Sequence, residues 1–245
     1  MRFVDSHLHL EGTNVSEVVP SASANETLLV VCGIDRETSL DALSQQVKNP
    51  EIIRGFVGVH PSEAGKENDL GWVKTSLQKA SGVGEIGLDP KYSSIDEEGT
   101  QSRTFRTLLE AAQEMEKPVQ VHSRGAEEEC LKAMDQFSLK SVLMHWFEEE
   151  ERLRAVLDRG YFVSVGPAIL YSKRLQRMVA QVDRDLLLVE SDSPVPYAPL
   201  GGVRGPSLVP SVVFKIAELW GLEFDKVRDR TVSNAIRFLD LPGKG

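Results

Sequence analysis

The stretch "VDSHLHLEG", residues 4 to 12, sets two histidines one residue apart at the end of a short apolar run. In an extended strand residues i and i+2 share a face, so His7 and His9 point together, with Asp5 on the same face. Two adjacent imidazoles suit a divalent metal ion, although an ordinary polar strand end can carry the same triplet. Three further histidines, His60, His122 and His145, complete the five in the chain. Two carboxylates, Glu85 in "GVGEIGLD" and Asp192 in "VESDSP", each follow a hydrophobic approach. A carboxylate left alone in such a place is costly to desolvate, and a cation beside it removes that cost. With His60 set aside, the remaining four imidazoles and the two carboxylates are enough for two divalent ions, and Glu85 is suited to bridge them. Imidazole with carboxylate fits zinc, manganese or a related first-row ion; magnesium fits where carboxylate and water dominate.

These side chains must be brought together by the elements around them. Apolar runs rich in Val, Ile and Leu recur: "FVDSH", "TLLVVCGI", "IRGFVGVH", "GVGEIGLD", "PVQVHS", "SVLMHWF", "YFVSVGPAI" and "LLLVESD". Between them lie charged segments such as "SLDALSQQVK", "QSRTFRTLLEAAQEME", "AEEECLKAMDQF" and "ERLRAVLDRG", whose apolar residues fall at helical spacing. Nearly continuous apolar runs read as parallel strands covered on both faces. Eight of them alternating with helices predict a single α/β domain over residues 1–245, a (β/α)8 TIM barrel. An open doubly wound sheet is the weaker reading, because no G-x-G-x-x-G follows an early strand. All five histidines fall at or just past the carboxyl end of a predicted strand, the face on which such a barrel carries its active site. Histidines that merely satisfy a core carbonyl would have no reason to respect strand polarity. The Pro/Gly-rich segment "SPVPYAPLGGVRGPSLVP", residues 193 to 210, is expected to form a rim loop after the eighth strand.

Composition narrows the partners. The chain of 245 residues is 41% hydrophobic and 27% charged, without an apolar run long enough to span a membrane. Its start lacks the basic region and apolar core of a signal peptide, so a cytoplasmic location is expected. Cys32 and Cys130 stand far apart in no metal-type pair, in keeping with a reducing compartment. A formal net charge of −9 disfavours general attraction to nucleic acid, so a phosphate substrate needs local cations. No stable protein partner is expected.

Six motifs in order resemble the TatD family of metal-dependent hydrolases, a branch of the amidohydrolase superfamily: "DSHLH", "GVHP" at 58 to 61, "GEIGLD" at 84 to 89, "VHSR" at 121 to 124, "MHWF" around His145, and "ESDSP" at 190 to 194. The resemblance implies a (β/α)8 barrel with His7, His9, Glu85 and Asp192 around one metal ion, and Glu85, His122 and His145 around a second. It also implies hydrolysis of phosphodiesters, with DNA the substrate most often assigned to the family. Because Glu85 stands where this family has its acid, no carboxylated lysine is expected.

The substrate-facing loops depart from the family pattern. After His145 come Trp146, Phe147 and the acidic run Glu148 to Glu151, in place of a cysteine and a small turn; "GLDPKYSS" and "RGPSLVP" also differ from the usual continuations. Acids in the first turn of a helix are stabilised by its dipole, so the run is read as a solvated helix start. Trp146 and Phe147 read as packing first, and as a face for a base second. Asp192 is the expected acceptor of the water's proton and Glu85 the bridge. His60 is the histidine not needed as a ligand: it is either a contact to the scissile phosphate and its leaving oxygen or a turn residue. Arg124, Lys91, Tyr92 and Arg204 lie in loops after strands and read as exposed surface residues first, and as candidate contacts to single-stranded DNA or a small phosphodiester second. Two other functions fit the same inventory: an amidohydrolase or lactonase acting on a carbon centre, and a catalytically silent metal-binding interaction module.

Overall fold

In a computed structural model, which describes residues 1–66, 69–96 and 99–242, eight parallel strands run in the order of the chain. They are β1 (Phe3–Leu8), β2 (Thr27–Cys32), β3 (Ile53–Val57), β4 (Gly82–Gly87), β5 (Val119–His122), β6 (Val142–Met144), β7 (Phe162–Val165) and β8 (Leu187–Val189). Each of the eight apolar runs holds one of them. Helices follow as α1 (Val15–Ala24), α2 (Arg36–Lys48), α3 (Gly71–Leu77), α4 (Thr100–Glu114), α5 (Glu127–Met134), α6 (Glu150–Leu157), α7 (Lys173–Val179), α8 (Val209–Trp220) and α9 (Phe224–Phe238). The result is the expected (β/α)8 barrel.

The strands carry buried side chains on both faces, which explains their unbroken apolar character: Val30, Val83, Val119 and Leu187 are all fully buried. Parallel ladders join each strand to the next, as in Val31 opposite Gly55 and Val163 opposite Leu187. The seam from β8 back to β1 is joined by Ser6 Oγ donating to the Val189 carbonyl (2.8 Å) and by the Ser191 N–H donating to Asp5 Oδ1 (2.8 Å). Asp192 N–H then donates to the His7 carbonyl at 3.0 Å, which ties the end of β8 to the first histidine.

Two glycines let the strand ends crowd together. A Cβ at Gly58 would stand 2.5 Å from the Glu85 carbonyl, so the "GVHP" turn lies against the end of β4 only without a side chain there. At Gly87, with φ +148, a Cβ would meet the His122 carbonyl at 1.9 Å. The four quoted helical segments are α2, α4, α5 and α6; the structure adds α1, whose interior carries Pro20, α3, α7, α8 and α9. The rim segment 193–210 is a loop as expected, stiffened by 3-10 turns at Ala198–Leu200 and Pro206–Leu208. Glu150 and Glu151 open α6, as the dipole argument anticipated, while Glu148 accepts from Trp146 Nε1 and pairs with Arg174. Both cysteines are free and buried. Among the described residues no helix is long and apolar enough to cross a membrane.

Candidate metal centre

The carboxyl ends of β1, β4, β5, β6 and β8 bring His7, His9, Glu85, His122, His145 and Asp192 into one cluster, and His60 joins it from the turn after β3. His7, His60, Glu85, His145 and Asp192 are buried, His9 and His122 half-buried, with Glu85 at the centre. Its two oxygens face different neighbours. Oε2 lies 3.2 Å from His9 Nε2 and 3.8 Å from His7 Nε2. Oε1 lies 2.8 Å from His122 Nδ1 and 2.7 Å from His145 Nε2, with His60 Nε2 at 3.7 Å. Asp192 Oδ1 closes the first side, 3.6 Å from His7 Nε2 and 3.8 Å from His9 Nε2. Asp192 itself holds φ +46, a left-handed backbone that an aspartate tolerates better than most residues.

Hydrogen bonds behind the rings decide which nitrogens face inward. Gln120 Nε2 donates to the Ser6 carbonyl (2.8 Å), so its Oε1 is left to accept from His7 Nδ1 at 2.6 Å. The Cys32 carbonyl likewise accepts from His9 Nδ1 at 2.9 Å. Both Nε2 atoms therefore carry lone pairs in the neutral rings, and they face each other at 3.2 Å between two carboxylates. Facing lone pairs and anionic oxygens require positive charge among them. A proton meets part of that need, and a divalent cation meets it fully with a donor set of the right chemistry. Residues His7, His9 and Asp192 form one group of ligand atoms within 4.8 Å of one another, and His7, Glu85 and His145 form another.

The protein's own groups carry the signature of this demand. Burial penalises the charged form of Glu85, yet the surrounding imidazoles outweigh it and hold the carboxyl well below its usual range. Burial would depress His9, but the bond and charge of Glu85 raise it to about 9. Burial, joined by repulsion from Glu85, pushes Asp192 up to about 8. His60 goes the other way, lowered by burial to about 4. Its Nδ1 meets Ser62 Oγ at 2.8 Å and the Ser62 N–H at 3.1 Å; the hydroxyl can give or take a proton but the amide can only donate, so in the neutral ring the amide places the proton on Nε2, which points into the cluster. His60 thus presents a donor where His7 and His9 present lone pairs.

Three partners escaped the sequence reading. Asp89, at the end of "GEIGLD", takes His122 Nε2 at 2.8 Å and Arg124 Nη2 at 2.6 Å on one oxygen. Gln120 is a polar residue inside an apolar strand, two positions before His122 and so on its face, a signal that was available. Buried Glu190 accepts from the Trp146 N–H at 2.8 Å and from Ser164 Oγ at 2.5 Å, fixing the turn after His145. Of the expected substrate contacts, Lys91, Tyr92 and Arg124 stand together on the β4–β5 side. Arg204 is apart from them, exposed in a cleft shared with Gly12, Thr13, Asn14 and Ser193. Phe147 is 2% exposed and belongs to the core, and Trp146 stacks on Tyr197 (5.9 Å, 25°), so the packing reading of that pair holds.

The family model described as TatD related DNase matches residues 4–240. The chain belongs to the TatD family. It is 29% identical to the uncharacterized metal-dependent hydrolase YabD of Bacillus subtilis over 249 residues, 95% of this chain and 97% of the relative. Identity to human deoxyribonuclease TATDN3 is 26% over 263 residues, covering 96% and 93% of the two chains. The crystal structure of YJJV, a TatD homolog from Escherichia coli K12, superposes with a TM-score of 0.87 at 22% identity, covering 98% of this chain and 99% of that one. That likeness shows the same barrel fold. This TatD chain is accordingly a metal-dependent hydrolase, with a buried cluster of His, Glu and Asp able to hold metal.

Proposed function

We propose that this enzyme hydrolyses phosphodiester bonds in DNA at a centre of two divalent ions, zinc, manganese or magnesium. His7, His9, Glu85 and Asp192 would hold one ion, and Glu85, His122 and His145 the other. The observation that carries the reading is the division of Glu85, one oxygen toward His7 and His9 and the other toward His122 and His145. Ions held there would acidify a water molecule and neutralise the non-bridging phosphate oxygens. Asp192, which closes the His7 and His9 side of the cluster, accepts the proton of the attacking water. His60 turns its Nε2–H toward the same space and donates to the phosphate or its leaving oxygen. A donor aimed at developing negative charge is worth most in a cleft that excludes water.

Local cations answer the net charge of −9, which would otherwise repel a polyanion. Single-stranded DNA is the favoured substrate, because a net charge of −9 gives poor overall attraction to a long duplex. The relative named a deoxyribonuclease supports the same bond type. Cleavage of a short labelled single strand by chelator-treated protein, with and without added manganese, magnesium or zinc, tests it beside Glu85→Ala. Products that need metal and vanish in the variant are expected. Metal-loaded protein that leaves DNA intact would end the phosphodiesterase reading and favour a carbon-centred substrate.

A further inference from the structure

Beyond Glu85 and His60 lies an aromatic ring. Tyr92 meets the His60 imidazole edge to face, with ring centroids 5.5 Å apart and planes at 78°, and the residue is 44% exposed. Two cations on exposed side chains lie over the ring: Lys91 Nζ is 5.6 Å and Arg124 Cζ 6.0 Å from its centroid. One guanidinium nitrogen of Arg124 is committed to Asp89, yet the side chain is 55% exposed, so its remaining N–H groups face outward. The other aromatic group at the mouth is not free in this way: Trp146 is stacked on Tyr197, and its indole N–H is bonded to Glu148.

We infer that Tyr92, Lys91 and Arg124 form a subsite for one unpaired nucleotide adjoining the scissile phosphate. The base stacks on Tyr92 as Lys91 and Arg124, which lie over the ring in its absence, swing aside to take the phosphate. This rests on the phosphodiesterase reading above and adds to it which part of the substrate is recognised. An exposed aromatic ring beside cations is the chemistry that holds single strands with little sequence preference, since every base has a face to stack. A paired base has both faces covered by its neighbours in the duplex, so the subsite selects single strands and frayed ends. The order Glu85, His60, Tyr92 puts the ring one residue out from the reacting centre, where the base attached to the neighbouring sugar would fall.

The test compares the wild type, Tyr92→Ala and Tyr92→Phe on a labelled single strand in manganese. A second strand carries an abasic tetrahydrofuran residue on either side of the cleaved bond. Tyr92→Ala is expected to lower kcat/KM roughly 5- to 100-fold on the natural strand, the range that loss of one stacked base gives. Tyr92→Phe keeps the ring and is expected to stay within about 2-fold of the wild type, because stacking needs the π-face and not the hydroxyl. On the abasic strand the wild type should fall to the level of Tyr92→Ala, and the variant should lose nothing more. An unchanged Tyr92→Ala would overturn the subsite. So would an equal loss on both strands, which would mean that the ring only supports His60. If the wild type cuts neither strand, the phosphodiesterase reading fails first and the subsite falls with it.

Discussion

Replacing Asp89 by asparagine removes one charge and no volume, and the consequence can be worked out atom by atom. Asp89 accepts three hydrogen bonds: His122 Nε2 (2.8 Å) and Arg124 Nη2 (2.6 Å) on Oδ2, and the Lys91 N–H (2.8 Å) on Oδ1. An amide has one acceptor oxygen. Turned toward His122, its NH2 group opposes the Lys91 N–H; turned the other way, it opposes His122 Nε2–H and Arg124. In the second orientation the His122 proton moves to Nδ1, the nitrogen that faces Glu85, and the lone pair leaves the site. A bond to a charged group is worth about 1.5–3 kcal/mol, and each 1.4 kcal/mol is tenfold. Asp89→Asn should therefore weaken one metal ion roughly 10- to 100-fold, the range seen when partners behind metal ligands are removed. The other ion should keep its affinity, because His7, His9 and Asp192 do not touch Asp89. Calorimetric titration of chelator-treated protein with manganese would resolve the two steps. Arg124→Ala serves as the control for Asp89's other partner and should change neither step more than about threefold, since it removes a half-exposed ion pair. Two wild-type dissociation constants in Asp89→Asn would refute the argument.

Metal added to chelator-treated protein at a hundred times its dissociation constant should stabilise the fold by about 2.7 kcal/mol per ion. For a chain of this size that raises Tm by roughly 5–10 °C per ion in scanning calorimetry, and an unmoved Tm would count against a buried ion site. His60→Ala should cut kcat roughly 10²- to 10³-fold, as loss of a donor to developing charge does, with metal affinity intact; weakened metal binding would make His60 a ligand instead. Burial raises Asp5 to about 7, only partly offset by its bonds to Ser191. Between about pH 4 and 7 the unfolded chain has lost this proton while the folded chain keeps it, so stability falls as pH rises, by about 4 kcal/mol in all. In chelator, Asp5→Asn should flatten that slope in denaturant titrations; a curve as steep as the wild type's would assign the slope elsewhere.

The strands were legible because both faces are buried, which leaves an unbroken apolar run that no surface helix shows. The cluster was legible because barrel topology sends every strand end to one mouth, so a histidine at a strand end already has an address. Its supporting partners were harder to see. Gln120 meets His7 across 113 positions of sequence, and the Cys32 carbonyl that orients His9 belongs to an apolar residue whose side chain does nothing there. Such contacts depend on strand register, which periodicity does not reveal. Asp89 was hidden for another reason: it stands in a quoted motif, but its role emerges only when β4 and β5 lie side by side and His122 arrives within reach.

Why the histidines divide into two kinds is then a matter of what stands behind each ring. Oxygen acceptors stand behind His7, His9 and His122, namely Gln120 Oε1, the Cys32 carbonyl and Asp89 Oδ2, and an acceptor there leaves the inward nitrogen free to bind a cation. Behind His60 stand the backbone N–H and the hydroxyl of Ser62 in the turn "HPS", at 3.1 and 2.8 Å, and the hydroxyl can donate alongside the amide. A backbone amide can only donate, so no change of side chain at position 62 except proline would reverse it. The strand-end address is common to all of them, and at these three an oxygen behind the ring turns a lone pair inward; His145, whose buried Nδ1 has no hydrogen-bond partner among the described residues, turns its Nε2 to Glu85 without one. A turn that folds its own amide back onto the imidazole turns a proton inward instead. Holding cations and giving hydrogen bonds are thereby separated within a few ångströms, in a cluster where every ring has the same composition.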